Sequence, residues 1–289
     1  MTLDLSGSAP RLRPPTASQG WHGQLQLNFV YQGQKTVPLQ PQTTAPLRLQ
    51  RPFYPEGGVC HSVIVHTAGG MVGGDRLSLS LQLQPHSQAL VTTAAAHKVY
   101  RSSGLPTQQQ TQIRLQAQTC LEWFPQETII FNGAQHQQMT RIDLEPGAIW
   151  LGWEITRFGR SARGEQFSCG QWRSQLEVWQ QGQPLWLDRS YLQGGSDVLQ
   201  SPHGLNGSPV IGSLALLGYT LSDLQLATLR DCSAPGSGDT GITTLINGVL
   251  CRYRGASSQA ARAWFISLWQ ALRPIYLQRP GCLPRVWGR

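Results

Sequence analysis

The sequence is poor in charge and almost without lysine. Charged residues make up 13% of the 289 residues, compared with about 25% in an average globular domain. Only Lys35 and Lys98 are lysines, so most of the formal net charge of +8 resides on arginine side chains. Arginine favours fixed ion pairs with carboxylates over a loose polybasic surface. The composition therefore argues against a nucleic-acid partner.

Long apolar runs and the pattern of a secretory signal are absent as well. The longest apolar pieces, such as Leu214 to Leu217, are far shorter than the roughly 20 apolar residues that span a bilayer. The first residues, MTLDLSGSAPRLRPP, contain an early aspartate, arginines and prolines in place of an apolar core. We therefore predict a cytoplasmic protein that does not cross a membrane.

Paired cysteines are also missing. The six cysteines are widely spaced and none forms a CxxC pair, which excludes a zinc ribbon and a thioredoxin-like redox motif. We predict reduced thiols, most of them filling the core of a cytosolic protein. They are Cys60, Cys120, Cys169, Cys232, Cys251 and Cys282.

Apolar residues, by contrast, are plentiful. They make up 40% of the chain and include 10 tryptophans, which excludes a disordered protein. Residues 1–20 combine proline, serine and glycine without an apolar period, and are predicted to form a flexible lead-in. Residues 21–289 are predicted to form a single β-rich domain.

Apolar side chains alternate with other residues in three segments: LQLNFVY at 25–31, LSLSLQLQ at 77–84 and TQIRLQAQ at 111–118. This period of two is typical of half-buried strands. The many glutamines of the chain are interpreted as lying on the solvent-facing, polar faces of the strands. Shorter apolar runs between turn residues predict further strands. They lie at residues 59–65, 89–93, 129–131, 148–153, 176–179 and 185–187.

Helical periodicity occurs only near the C-terminus. Thr220 to Arg230 predicts a short helix with Ser222 as its N-cap. Ser258 to Arg273 carries an apolar stripe at three- and four-residue spacing and is predicted to end before Pro274. A further strand pair is predicted around Thr243 to Tyr253. Because strands come first and helices last, without βαβ units or a repeat of fixed period, a Rossmann or P-loop fold is disfavoured.

A glycine-rich segment, HTAGGMVGGD, runs from His66 to Asp75. It lacks the ending of a phosphate-binding loop, no helix follows it, and Asp75 would repel phosphate. A wide hairpin with bulges is one interpretation. The other is a glycine-walled surface or channel in which His66 and Asp75 face a partner or a cation. The glycines are Gly69, Gly70, Gly73 and Gly74.

Cys60, His61 and His66 place soft and borderline ligands close together, as a nickel or zinc site requires. On one regular strand, however, His61 and His66 point to opposite faces, whereas Cys60 and His66 share a face. A structural histidine is therefore favoured over a dedicated metal site. None of the seven histidines forms an HxH, HxxxH or HExxH pair.

Two further motifs concentrate charge. Lys98, Tyr100 and Arg101 follow a run of small residues, and could bind an acidic surface or form an ion-paired strand edge. The segment EITRFGRSARGE at 154–165 holds two acids and three arginines, which indicates a structural brace or a polar passage. Its candidate residues are Glu154, Arg157, Gly159, Arg160, Arg163, Gly164 and Glu165.

Four blocks, in this order and spacing, resemble the urease accessory proteins called UreD in some bacteria and UreH in others. They are RPFYPEGGVCHSVIVHTAGGMVGGDRLSL, VTTAAAHKVYRS, FPQETIIFNGA and WEITRFGRSARGE. The resemblance extends from the Trp21 strand to the Arg252 strand. The chain departs from the family pattern at His97, Glu127 and Ile130.

The resemblance implies a maturation factor and not an enzyme. It implies a mainly β, helically wound scaffold with about two helices near the C-terminus, which binds UreF and the GTPase UreG and docks on apo-urease. Nickel would pass transiently through an internal channel, with no tightly held cofactor. Spaced carboxylates that release the ion suit such a path. The implied nickel-path residues are Cys60, His61, His66, Asp75, Glu127, Glu154 and Glu165.

Two other classes remain open on the residues alone. One is a metal-dependent or acid/base hydrolase that uses His66, Asp75 and Glu165. The other is an arginine-rich β module that binds nucleic acid, whose affinity would fall steeply with salt.

Overall fold

The computed structural model describes residues 20–288, so nearly all of the predicted lead-in lies outside the described residues. Within this range there are 17 strands and two α-helices, besides three short 3-10 helices. The strands are β1 (His22–Gln32), β2 (Lys35–Thr43), β3 (Leu47–Leu49), β4 (Cys60–His66), β5 (Arg76–Leu83), β6 (Gln88–Thr93), β7 (His97–Val99), β8 (Thr107–Leu115), β9 (Cys120–Phe124), β10 (Thr128–Ile130), β11 (Gln135–Leu144), β12 (Ile149–Phe158), β13 (Gln171–Gln180), β14 (Gln183–Gln193), β15 (Val210–Leu217), β16 (Asp239–Leu245) and β17 (Gly248–Gly255). The helices are α1 (Asp223–Arg230) and α2 (Ser258–Tyr276).

The strands form two sheets. Sheet A has seven strands in the order β14-β13-β11-β8-β5-β1-β2. Sheet B has the order β16-β17-β15-β12-β9-β6-β4-β3, and β7 and β10 extend it beside β12. Between β4 and β13 the chain crosses repeatedly from one sheet to the other. Each main strand then pairs in parallel with the strand one coil further on, as β5, β8, β11 and β13 do in sheet A. The predicted helically wound β scaffold is confirmed.

The coils differ in length. Leu79, Thr111, Thr140 and Leu176 lie side by side on four successive strands of sheet A, yet the intervals between them along the chain are unequal. Loops of variable length connect the coils, because only the strands must keep their register. A repeated architecture therefore leaves no repeat of fixed period in the sequence.

The apolar faces of the two sheets enclose the main core. Leu25, Leu27 and Phe29 are buried as the alternation predicts, whereas Tyr31, at the end of β1, is 49% exposed. Leu81 of sheet A and Val91 of sheet B belong to the same buried cluster. The cysteines are free thiols, and three of them are buried. The shorter predicted strands all correspond to observed ones, with bounds that differ by one residue or more at some ends. They are β4, β6, β10, β12, β13 and β14.

The hairpin interpretation of the glycine-rich segment is wrong. The strand before it, β4, belongs to sheet B, and the strand after it, β5, belongs to sheet A. The segment is therefore a crossover between the sheets. Alternation identified both strands but carries no information about which sheet each one joins.

A second core lies between sheet B and helix α2. The apolar stripe of α2 packs against β12, β15 and β17.

The two helices differ in how well their ends were predicted. Helix α1 begins with the predicted cap, because the Ser222 hydroxyl accepts a hydrogen bond from the Gln225 backbone amide. Helix α2 runs to Tyr276 and contains Pro274 in its last turn, so its predicted end at Arg273 is wrong. The buried side chains of Arg273 and Tyr276 both bind Glu122, which holds this last turn in place. No helix in the described part of the chain is long and apolar enough to cross a bilayer.

We expect Leu268→Asp to lower the free energy of unfolding by several kcal/mol, because Leu268 is fully buried in α2 and the new carboxylate would have no partner. Urea titration followed by tryptophan fluorescence measures the change. The matched control is Gln270→Asp, which adds the same charge at an exposed position of the helix. Equal midpoints for both variants would contradict this packing.

Candidate functional site

A belt of polar side chains crosses the interior between the two sheets. Thr107, Gln109 and Thr111 of β8 lie on the same face as the core residues Ile113 and Leu115, because alternate residues of a strand share a face. On the neighbouring strand β11, three polar residues occupy the equivalent inward positions. They are His136, Gln138 and Thr140. The solvent-facing interpretation of the glutamines is therefore wrong for Gln109 and Gln138.

Two cavities lie along this belt. The first, here called the histidine cavity, has a volume of about 300 Å³ and is lined by His66, His97 and Gln138, among others. The second, here called the arginine cavity, has a volume of about 320 Å³ and is lined by residues that include Arg252. Glu154 lines both cavities. The two cavities are therefore adjacent at this residue.

Glu154 of β12 projects from sheet B toward sheet A. Its carboxylate accepts hydrogen bonds of 2.9 Å from Gln138 Nε2 and from Thr140 Oγ1. Burial raises the pKa of Glu154 to about 7, and the nearby Asp188 acts in the same direction. Glu154 is therefore poised between its protonated and ionised forms near neutral pH. A divalent cation in either cavity would favour the ionised form. Among residues 20–288 no arginine pairs with it, so it does not brace the neighbouring arginines.

Two ion pairs lie in the lining of the arginine cavity. Arg252 pairs with Asp188 at 2.9 Å, and Arg254 pairs with Asp239 at 2.6 Å. Arg252 and Asp239 are more than half exposed, so each pair adds little stability. These groups place charge of both signs where the cavity approaches the surface.

Three histidines from three strands meet near the other end of the belt. The ring centres of His66 and His97 are 5.3 Å apart, and those of His97 and His136 are 6.5 Å apart. Burial lowers the pKa of His97 to about 3 and that of His136 to about 4, so both rings are neutral. Burial also lowers the pKa of His66, against an opposing influence from Asp75. Sequence reasoning missed this cluster, because the residues lie far apart in the chain.

The first two glycines of the glycine-rich segment, Gly69 and Gly70, pack directly against β7 and the residue after it. A side chain at Gly70 would come within 2.5 Å of the Lys98 carbonyl oxygen. Tyr100 donates a hydrogen bond from its hydroxyl to the Gly69 carbonyl at 2.8 Å. These glycines therefore allow close approach of the strand that begins at His97, while the Lys98 side chain is exposed.

Asp75 ends this segment in a turn. Its carboxylate accepts a 2.8 Å hydrogen bond from the Val72 amide, and the residue is 1% exposed. Gly73 and Gly74 lie within the same turn, and Gly74 has a φ of 94° that favours glycine. Asp75 therefore stabilises the crossover between the sheets.

Cys60 and His61 take part in different contacts. Cys60 belongs to the main core, with its sulfur 3.5 Å from Ser62 Oγ. His61 Nε2 lies 2.6 Å from a Glu56 carboxylate oxygen, and Cys282 is close to both. Because Arg273 donates to both oxygens of Glu56, this group is part of an ion-pair network. The predicted separation of His61 from His66 is confirmed.

The remaining candidates lie outside both cavities. Glu127 pairs with Arg262 of α2 at 3.4 Å. Glu165 pairs with Arg160 at 2.6 Å, which lowers the pKa of Glu165. Position 159 requires glycine for two reasons: the Glu165 carbonyl oxygen lies where a side chain would begin, and the backbone φ is 79°.

Arg157, Gly164 and Glu165 line a third cavity. Arg157 donates to the Ala256 carbonyl at 3.3 Å, and Arg101 packs beside Gly133. None of these three cavities brings His66, Asp75 and Glu165 together. Of the predicted nickel-path residues, His66 and Glu154 both line the histidine cavity.

Comparisons with known proteins agree on one family. A family model described as "UreD urease accessory protein" matches residues 22–288. The chain is 56% identical to a urease accessory protein UreD of Nostoc sp. strain PCC 7120, over 94% of this chain and 98% of the relative. It is 55% identical to the UreD of Trichormus variabilis, over 93% of this chain and 96% of the relative. It is also 40% identical to the UreD of Methylobacillus flagellatus, over 94% and 96% respectively.

Proposed function

This chain belongs to the UreD family of urease accessory proteins, and we propose that it is a non-catalytic scaffold that docks on apo-urease with UreF and UreG in the cytoplasm. In this role it conducts nickel to the urease active site through its interior. Nickel is the cargo of the protein and not a resident cofactor.

The observation that carries the nickel path is that Glu154 lines two adjacent cavities between the sheets. An ion that moves through a protein needs successive weak ligands, because a tight site would retain it. Hydroxyl and carboxyl oxygens are such ligands, and Thr140 and Glu154 supply one of each kind beside each other. Glu154 supplies negative charge only when it is ionised, so a cation and a proton compete for it.

Docking is supported by apolar groups that the fold leaves exposed. Leu224 of α1 is 78% exposed, and Ile246 in the turn between β16 and β17 is 85% exposed. The edge strands β2 and β14 of sheet A each pair with a neighbour on one side only. Apolar groups and free strand edges are features that protein partners cover.

The function is tested by activating purified apo-urease with UreF, UreG, GTP and Ni²⁺, in the presence and absence of this chain. We expect the nickel content and the ureolytic activity of urease to rise well above background only when the chain is present. The chain without urease is expected to hydrolyse no urea. Equal activation in its absence would refute the proposal.

A further inference from the structure

We propose that Glu56, His61 and Cys282 form a binding site for one divalent ion that prefers sulfur and nitrogen ligands, such as Zn²⁺. One ligand atom from each residue lies within 4.8 Å of the other two. In the part of the chain that the structure describes, no other three histidine, cysteine or acidic side chains meet this criterion. The site therefore rests on a juxtaposition that residues far apart in the sequence reach only in the folded chain.

The site lies on the face of sheet B that α2 covers. Cys60 belongs to the core between the two sheets, so the next residue of β4, His61, points to the opposite face. There His61 is 3% exposed and contacts Glu56, which in turn is bound by Arg273 of α2. An ion held here would not lie between the sheets and would not be on the path proposed for nickel.

The first support is the set of ligand atoms. Thiolate sulfur, imidazole nitrogen and carboxylate oxygen are the three kinds of protein ligand that Zn²⁺ takes. Three protein ligands leave a fourth tetrahedral position for water. Glu56 and Cys282 are both partly exposed, so water and the ion can reach the site from the surface.

The second support is that Glu56 can bind an ion without losing Arg273. Glu56 Oε1 lies 2.6 Å from His61 Nε2 and 2.7 Å from Arg273 Nη2. Burial acts to raise the pKa of Glu56, but hydrogen bonds from His61 and Arg273 outweigh it and lower the pKa, so the carboxylate is ionised. An ion between Nε2 and Oε1 would take the place of the proton between them, leave the ring protonated on Nδ1, and preserve both bonds from Arg273.

The distances require only small movements. Metal bonds of about 2.0–2.2 Å in tetrahedral geometry place the nitrogen and oxygen ligands about 3.3 Å apart, so His61 Nε2 and Glu56 Oε1 must separate by about 0.7 Å. With a zinc–sulfur bond of about 2.3 Å, the Cys282 sulfur must approach by about 1.3 Å at most. Both movements are within the reach of side-chain rotation.

The third support is the way the chain around Cys282 is held. Residues 277–284 follow α2 without a strand or helix. Arg273 donates a hydrogen bond to the Pro280 carbonyl, and Arg279 donates one to the Glu56 carbonyl at 2.9 Å. Arg273 therefore contacts both Glu56 and the segment that carries Cys282, which makes it a positioning residue for the site.

The thiol of Cys282 is protonated in the absence of an ion. Burial raises the pKa of Cys282, and the nearby Glu56 acts in the same direction. Because Zn²⁺ binds the thiolate, the ion must displace this proton. Binding should therefore release at least one proton per ion and should strengthen as the pH rises.

The site is tested by titrating the reduced full-length chain with Zn²⁺ and, as a spectroscopic probe, with Co²⁺. We expect Co²⁺ to produce the near-ultraviolet charge-transfer band of a cobalt–thiolate bond. Cys282→Ser should abolish this band and weaken Zn²⁺ binding by about tenfold or more, since loss of even an indirect contact to a metal ligand has an effect of that size. Cys169→Ser, at an exposed cysteine outside the site, is the matched control and should change neither. A band that persists in Cys282→Ser, or an unmodified chain without the band, would overturn the proposal.

His61→Gln separates metal binding from the ion-pair network. The glutamine amide can still donate a hydrogen bond to Glu56, whereas it is a much poorer ligand for Zn²⁺ than imidazole. We expect the midpoint of urea unfolding without added metal to stay near the wild-type value, while Zn²⁺ affinity falls by about tenfold or more. Equal Zn²⁺ affinities for wild type and His61→Gln would contradict the site.

The proton balance gives a test that needs no variant. Calorimetric titration of the unmodified chain with Zn²⁺, in two buffers with different heats of ionisation, measures the number of protons released. We expect at least one proton per ion, and binding without proton release would exclude the thiolate ligand and so overturn the proposal. None of these measurements contains nickel or urease, so their failure leaves the proposed function intact, and failure of urease activation to depend on the chain leaves this site intact.

Discussion

Arg273→Met is expected to lower the free energy of unfolding by about 3–5 kcal/mol, the loss that follows when one partner of a buried ion pair is removed. The Arg273 side chain is 0% exposed and lies between two carboxylates. Its Nε is 2.8 Å from Glu122, and its terminal nitrogens are 2.7 Å from Glu56. Methionine fills a similar volume but leaves Glu122, itself 1% exposed, without a cation.

This network joins the C-terminal helix to sheet B. Besides Arg273, Trp269 and Tyr276 of α2 donate hydrogen bonds to Glu122 of β9. The same helix covers β12, the strand that carries Glu154. Loss of the network should therefore affect the position of the cavities as well as stability.

The change in stability can be measured by urea unfolding. Arg189→Met is the matched control, because Arg189 is 62% exposed and pairs with Glu177 at 2.9 Å. Loss of this exposed ion pair should lower the free energy of unfolding by less than about 1 kcal/mol. Adding Glu122→Gln to Arg273→Met should restore part of the stability, because it removes the unpaired charge. Equal losses for Arg273→Met and Arg189→Met would show that burial of this pair does not matter.

The strands and helices were predictable because their patterns are local. Leu77 to Leu83 alternate, and Ala261 to Leu272 recur at three and four residues, and both patterns identify a buried face. The polar interior was not predictable in the same way. In β8 the inward positions Thr107, Gln109 and Thr111 are polar, so apolar residues mark the inward face only from Ile113 onward. Hydrophobic alternation does not identify a polar stretch of the interior.

The candidate site depends on contacts between elements that are distant in the sequence. His66 ends β4, His97 begins β7 and His136 is the second residue of β11, and the stacking of the two sheets determines their proximity. Likewise, Glu154 and Arg157 are neighbours in the sequence but, three residues apart on β12, point to opposite sides. The motif predicted either a brace or a polar passage. For Glu154 the brace is wrong, because its carboxylate faces the interior and has no arginine partner among residues 20–288.

Glu154→Gln should change the pH dependence of stability. The pKa of Glu154 rises from 4.5 to about 7 on folding, so the folded state retains a proton that the unfolded state has lost in this interval. Wild-type stability therefore contains a contribution that is lost as the pH rises from 4.5 to about 7. Glutamine does not titrate. Relative to wild type, the variant should gain up to about 3 kcal/mol across this interval, as measured by urea unfolding at several pH values.

The same substitution should separate assembly from nickel delivery. Glutamine keeps the shape of Glu154 and can still accept a hydrogen bond from Thr140, so co-purification with UreF, UreG and urease should survive. It removes the charge that compensates a divalent ion between the two adjacent cavities. The nickel content and the ureolytic activity of the matured urease should therefore fall together, by about tenfold or more if one charge contributes 1.4 kcal/mol or more to passage. Glu165→Gln is the control, because that carboxylate pairs with Arg160 outside both cavities, and it should leave activation near the wild-type level. Full activation by Glu154→Gln would show that Glu154 is not part of the nickel path. Loss of assembly together with activation would show that Glu154 supports the fold and not the passage of an ion.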